Sequence, residues 1–251
     1  MAVTGLNGLP RAMLIDMDDT ILSAYGRPEI AWNKVAAEFD RELAPLSPQK
    51  VAAEVLAFAR QFWSTADAIC RLNLTEARRE VVKGGFAALG GNIGAALSDE
   101  LAVRLADRFT AYRDEEMFVF PGAHEAIDAL KACGVRLALV TNGAADTQRA
   151  KIERFELEHR FDHIQIEGEH GFGKPEERAY LHAMAALGVT ARETWMIGDN
   201  LEWEVEVPQR LGIYAIWMDV HGDGLPAGST VRPDRIIRSL AELLPNAANS
   251  R

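Results

Sequence analysis

The chain has 251 residues, 48% hydrophobic and 25% charged, with 37 acidic against 27 basic side chains and a formal net charge of −10. That length supports one to two domains with a sizeable core, and the acidic balance excludes a general nucleic-acid binder, whose phosphate contacts need clustered Lys and Arg. No run approaches the 18 apolar residues of a membrane-spanning helix.

The opening MAVTGLNGLPRAMLID lacks the charged region, apolar stretch and cleavage site of a secretory signal. Residues 12–16 (AMLID) form the first apolar run of strand length. From about residue 23 to 118 there is no convincing strand, only helical patterns. Ser47 followed by Pro48 predicts a helix through about Trp63, and Thr75 and Ser98 precede acidic residues as N-caps do. Nearly 100 residues is too long for a loop and predicts a helical insertion. It carries 12 basic and 14 acidic residues, leaving 15 and 23 for the rest.

Strand-length runs resume at 136–141 (RLALVT), 163–167 (HIQIE), 194–198 (TWMIG) and 213–218 (IYAIWM), with helices predicted at 123–133, 148–154, 177–187 and 203–211. Near-continuous hydrophobicity suits strands covered on both faces, and the alternation predicts a doubly wound α/β/α sandwich. Gly134, Gly188 and Gly212 stand where glycines close helices. The tail 245–251 (PNAANSR) is expected to fray. Cys70 and Cys133 are too few for a disulfide framework, which points to a reducing, cytoplasmic setting. The six histidines show no metal-ligand spacing.

Four strand ends carry candidate chemistry. Asp16 and Asp18, in DMDDT, can share a side at the end of the first strand, where two carboxylates call for a hard cation. Thr141, Asn142 and Gly143 offer a hydroxyl, an amide and backbone N–H groups ahead of a helix, an anion cradle. Lys174, before Pro175 and a helix with Glu176 and Glu177 in its first turn, offers an ammonium. Asp199, in GDN with Glu202, Glu204 and Glu206 following, puts a further acidic group at the fourth strand end. Each group alone also reads as an ordinary cap, turn or solvated charge. Together, in a parallel sheet, the four ends converge on one edge.

In this order DMDDT, Thr141, Lys174 and GDNLEWE resemble the four motifs of the haloacid dehalogenase superfamily, DxDxT, Thr or Ser, Lys, and GDxxxxD. GEHGFGKP and FPGAHEAIDAL resemble the third-motif neighbourhood and the return from an inserted helical cap in the phosphoglycolate phosphatase-like branch. The resemblance implies a three-layer α/β/α core over 1–22 and 119–251 with a parallel sheet, and an all-helical cap over 23–118. It implies Mg²⁺-dependent hydrolysis of a small phosphomonoester through an aspartyl-phosphate. Asp16 would be the nucleophile and Asp18 the general acid and base, with Thr20 supporting its loop. Thr141 and the backbone of Asn142 and Gly143 would bind the phosphoryl group, and Lys174 would orient Asp16 and neutralise charge. Asp16, the main-chain carbonyl of Asp18 and Asp199 would hold Mg²⁺. Glu204 stands where the family usually has Asp, leaving either a metal contact through water or a structural role. Rival readings are a 2-haloacid dehalogenase, which typically lacks the second Asp, a phosphonate hydrolase, a phosphoglucomutase-like transferase, and a non-catalytic scaffold. The expected partner is a small phosphate ester, with neither nucleic acid nor membrane, on a monomer or homodimer. Arg60, Arg71, Arg78, Arg79, Phe58, Phe62 and Trp63 are candidates to select the leaving group, against a plain packing role.

Overall fold

A computed structural model describes residues 8–65, 67–90 and 97–244, so the tail expected to fray lies outside the described residues. Its strands are β1 (Ala12–Ile15), β2 (Leu22–Ser23), β3 (Phe118–Val119), β4 (Arg136–Thr141), β5 (His163–Ile166), β6 (Thr194–Gly198), β7 (Tyr214–Met218) and β8 (Arg235–Ile237). Six of them form a parallel sheet in the order β5-β4-β1-β6-β7-β8. β1, β4, β6 and β7 are buried almost throughout, as their apolar runs require. Tyr180, Ala183 and Met184 of the helix Glu177–Leu187 pack with Leu14, Val140 and Met196 of the sheet.

The chain order reverses direction at β1, with β4 and β5 on one side and β6 to β8 on the other. In open α/β sheets the ligand crevice lies outside the carboxyl ends at such a switch point. Register brings those ends level: Ile15 pairs with Leu139 and with Ile197, and the Asp16 N–H donates to the Ile197 carbonyl at 3.0 Å.

Several local expectations change. The antiparallel pair β2–β3 and the edge strand β8 are too short to register as apolar runs. The helix expected from 148 begins at Ala145, with Asp146 in its first turn. Residues 201–206 form a π-helix that continues into the helix Val207–Arg210. Pro175 lies outside the next helix, which starts at Glu177. Gly188 does close that helix, with φ 62, but β6 follows only after a turn held by a Thr190–Glu193 capping box.

The chain divides into two units, residues 1–23 with 118–251, and residues 24–117. Among its described residues the second unit is helical, with Pro28–Glu38, Pro48–Ser64, Leu74–Ala88 and Asp99–Glu115 as its main helices. Ser47 and Ser98 cap two of them, accepting from Lys50 N–H and Leu101 N–H; Thr75 instead lies inside the first turn of a helix whose cap position is Asn73. Trp32 stacks on Phe109 with ring centroids 3.7 Å apart, and Val51, Val55, Val82, Phe86 and Leu105 fill the rest of this core. Gly85 sets one helix spacing, since a Cβ there would come within 2.7 Å of the Val55 Cα. Two candidate selectors serve packing. Arg79 makes a bidentate pair with Asp107, both bonds 2.8 Å, and buried Arg78 donates to Thr110 Oγ1 at 3.1 Å. No helix among the described residues is long and apolar enough to cross a membrane.

Candidate active site

Asp16 is the first residue beyond β1, and its two oxygens have separate partners. Lys174 Nζ donates to Oδ1 at 2.5 Å, and Thr20 Oγ1 donates to Oδ2 at 3.2 Å. Thr20 is fully buried, and its bond to Asp16 spans the turn that carries Asp18.

Lys174 is buried and stands between two carboxylates, Asp16 and, at 2.7 Å, Glu204. Burial opposes its charge, but the attraction of Asp16 and Glu204 prevails and holds its pKa above the ordinary lysine value. Its backbone is fixed by Asn142, whose amide donates to the Lys174 carbonyl at 2.6 Å and accepts from the Lys174 N–H at 2.9 Å. The Gly143 N–H donates to Glu167 at 3.0 Å. Thus the Asn142 side chain holds the Lys174 segment to the end of β4, and the Gly143 N–H, expected to face a phosphoryl group, is taken by Glu167. Thr141 Oγ1 is buried and accepts from Gln148 Nε2 at 2.6 Å, which leaves its own proton to donate.

Asp18 is held from a different side. Lys151 Nζ lies 2.9 and 2.8 Å from its two oxygens, and Gln148 Nε2 donates to it at 3.2 Å. Neither Gln148 nor Lys151 stood out in the sequence. Their signal was faint: both sit on the helix Ala145–Arg154, on the same face as buried Ile152, where a polar residue needs a partner.

Asp199 follows β6, with its carbonyl accepting from Trp217 Nε1 at 2.6 Å. Burial, and then the charges of Glu204, Asp16 and Asp19, push its carboxyl well above the usual range. Asp19 is a contributor the sequence did not single out; it takes a left-handed backbone, φ 58, in the tight turn after Asp18. Glu204 is buried, with one oxygen on Lys174 and the other accepting from the Asn200 N–H at 2.8 Å. Both oxygens are therefore engaged by protein groups, and each keeps a second acceptor site, so the water-mediated and the structural role are both compatible with this geometry. It crosses directly over Gly198, where a Cβ would lie 2.0 Å from the Glu204 Cγ.

Asp16 and Glu204 thus pair with the single ammonium of Lys174, and Asp199 lies close enough for their charges to raise its carboxyl. Burial raises the Asp16 carboxyl too, against the pull of Lys174. This excess of hard oxygen donors over positive charge fits a divalent cation such as Mg²⁺.

Lys151→Met is expected to lower kcat by about 10- to 100-fold, part of what a positioned general acid supplies. KM should stay within about threefold, because Lys151 acts through Asp18, and Lys151→Arg should restore part of kcat. Steady-state kinetics of the three proteins checks this split; equal changes in kcat and KM would count against it.

Residues 10–212 match the family model described as haloacid dehalogenase-like hydrolase. The chain is 29% identical over 248 residues to a phosphoserine phosphatase of Thermus thermophilus, covering 93% of this chain and 97% of that one. It is 24% identical over 211 residues to a glyceraldehyde 3-phosphate phosphatase of Pyrococcus furiosus, covering 82% and 80%. Among solved structures, the HAD-hydrolase YfnB of Bacillus subtilis, bound to magnesium, superposes with a TM-score of 0.66 at 25% identity, covering 93% of this chain and 96% of that one.

Proposed function

Because the chain belongs to the haloacid dehalogenase-like hydrolase family, we propose that it hydrolyses a small phosphomonoester, with Asp16 as nucleophile and Asp18 as general acid and base. The observation that carries this reading is the separate anchoring of two carboxylates two residues apart: Asp16 on Lys174 and Thr20, Asp18 on Lys151 and Gln148. Two acidic groups with different partners at one strand end can take different roles. A 2-haloacid dehalogenase has no use for the second. The phosphatase names of both relatives support the same class, and their different substrates leave the choice of ester to assay.

Asp16, the main-chain carbonyl of Asp18 and Asp199 would hold Mg²⁺. When bound, the ion supplies the positive potential that a phosphate dianion needs to approach so acidic a site. Lys174 and Thr20 orient Asp16 for in-line attack on phosphorus, and the Lys174 ammonium balances charge on the transferring group. The Thr141 hydroxyl is placed to donate to a phosphoryl oxygen. Asp18 protonates the departing alkoxide, and the resulting carboxylate takes a proton from the water that cleaves the aspartyl-phosphate.

Chelation with EDTA is expected to abolish turnover of phosphoserine, glyceraldehyde 3-phosphate or whichever small ester is accepted, and Mg²⁺ to restore it. In ¹⁸O-water the label should enter inorganic phosphate. Label entering the Asp16 carboxyl after halide release, with no phosphatase activity, would assign the chain to dehalogenation instead.

A further inference from the structure

Three of the six histidines, unremarkable in sequence, meet in space. His163 on β5, His170 in the short helix Glu167–His170 and His182 on the helix Glu177–Leu187 each bring one ring nitrogen within 4.8 Å of the other two. We propose that this trio is a second metal site, selective for a borderline transition-metal ion such as Zn²⁺ and built from none of the residues of the carboxylate cluster.

The hydrogen bonds behind the rings set the right tautomers. His170 Nδ1 lies 3.1 Å from the Ile166 carbonyl, and His182 Nδ1 lies 2.8 Å from Gln165 Oε1. The Gln165 amide donates to the Ala179 carbonyl at 2.9 Å, which turns its oxygen toward His182. Both acceptors are carbonyl oxygens, so each Nδ1 carries the proton and Nε2 keeps the lone pair. A carbonyl behind Nδ1 is the arrangement found behind metal-bound imidazoles. His163 Nε2 is buried and has no hydrogen-bond partner, a state that costs free energy unless something binds it.

The ring centroids are 4.9 to 6.4 Å apart and the planes are tilted by 52 to 74°, so the rings meet edge-on rather than stacked. Nitrogens around a tetrahedral ion sit about 3.3 Å apart, a closure within reach of side-chain rotation. Three imidazoles suit Zn²⁺, Cu²⁺, Ni²⁺ or Co²⁺, whereas Mg²⁺ takes oxygen ligands. Exposed His182 leaves the fourth position to water. The neighbouring cation, Arg178, lies over Phe172 and pairs with Glu176 at 2.9 Å. His170 and His182 bracket Lys174 in the chain, so the ion would clasp both ends of the segment that delivers the catalytic ammonium.

The test is competitive titration of the metal-stripped full chain with Zn²⁺ against a chromophoric chelator. In Asp199→Asn, which disables the carboxylate cation site, one saturable Zn²⁺ site is expected to remain. Affinity should fall by about 100-fold or more in His182→Ala and His170→Ala, beyond the roughly 10- to 100-fold usual for groups behind a ligand. The Zn²⁺-induced rise in Tm should disappear in the same variants. Co²⁺ should give visible d–d bands without the near-ultraviolet thiolate band that Cys70 or Cys133 would produce. Exposed His182 is the variant least able to disturb folding, and wild-type Tm without metal confirms that it folds. Absence of saturable Zn²⁺ binding, unchanged affinity in His182→Ala, or loss of the site in Asp199→Asn would each overturn the proposal and leave the trio as ring packing alone.

Discussion

Asp16→Asn is expected to lower turnover by about four orders of magnitude or more, the scale seen when a covalent nucleophile is removed, while the protein stays folded with an unchanged or higher Tm. The amide is isosteric, keeps its oxygen for the Lys174 ammonium and turns its NH₂ to the Thr20 hydroxyl, which can accept, but it cannot form an acyl-phosphate. Stability should not suffer, because Asp16 is one of several carboxylates around one ammonium, and burial already raises its pKa. Removing that charge relieves crowding and leaves Lys174 paired with Glu204 at 2.7 Å. Turnover measured beside thermal melts checks both halves. Residual activity within tenfold of wild type would place the nucleophile elsewhere.

Lys174→Met should inactivate the enzyme and also destabilise it, by about 3–5 kcal/mol, since it strands buried carboxylates without their partner. At this chain length that is a fall in Tm of about 6–20 °C. The deficit should depend on pH. Burial raises the Glu204 carboxyl to about 7 even with Lys174 beside it. A carboxyl raised in the fold stabilises below its unfolded pKa, near 4.5, and that contribution is lost as pH rises through the folded value. Without Lys174 the folded pKa values of Glu204 and Asp16 climb further, so the variant should lose more at pH 8 than at pH 5. Lys174→Met with Glu204→Gln removes an orphaned charge and should recover about half of the lost stability without recovering activity. Melts of the single and double variants at both pH values form the cycle that isolates the pair. A Lys174→Met melt identical to wild type at pH 8 would contradict the buried triad.

The sequence carried the frame of this site because apolar strands and the polar residues that end them are local patterns. Asp16, Thr141 and Asp199 each follow or close a run of buried residues, and a parallel sheet must gather such ends. What supports them was less visible. Gln148 and Lys151 look like solvated helix residues until the helix is docked against Asp18. Nothing local in the sequence says that the Asn142 side-chain amide spans to the backbone of Lys174. β8 is three residues long, too short for any periodicity. The histidine trio depends on β5 lying beside two helices, which no spacing rule encodes.

Gly198 and Glu204 constrain how this site can change over evolutionary time. The glutamate chain lies where any side chain at 198 would begin, with only 2.0 Å between the positions. The two residues are therefore coupled: a methyl at 198 would meet the glutamate chain and also come within 3.0 Å of the Asp16 Cβ, so alanine there would displace two carboxylate side chains at once. Aspartate at 204 still carries a Cγ, so shortening by one methylene loosens the hold on Lys174 without by itself clearing room for a side chain at 198. The glycine at 198 thus marks a backbone position over which two carboxylate side chains, Asp16 and Glu204, crowd together.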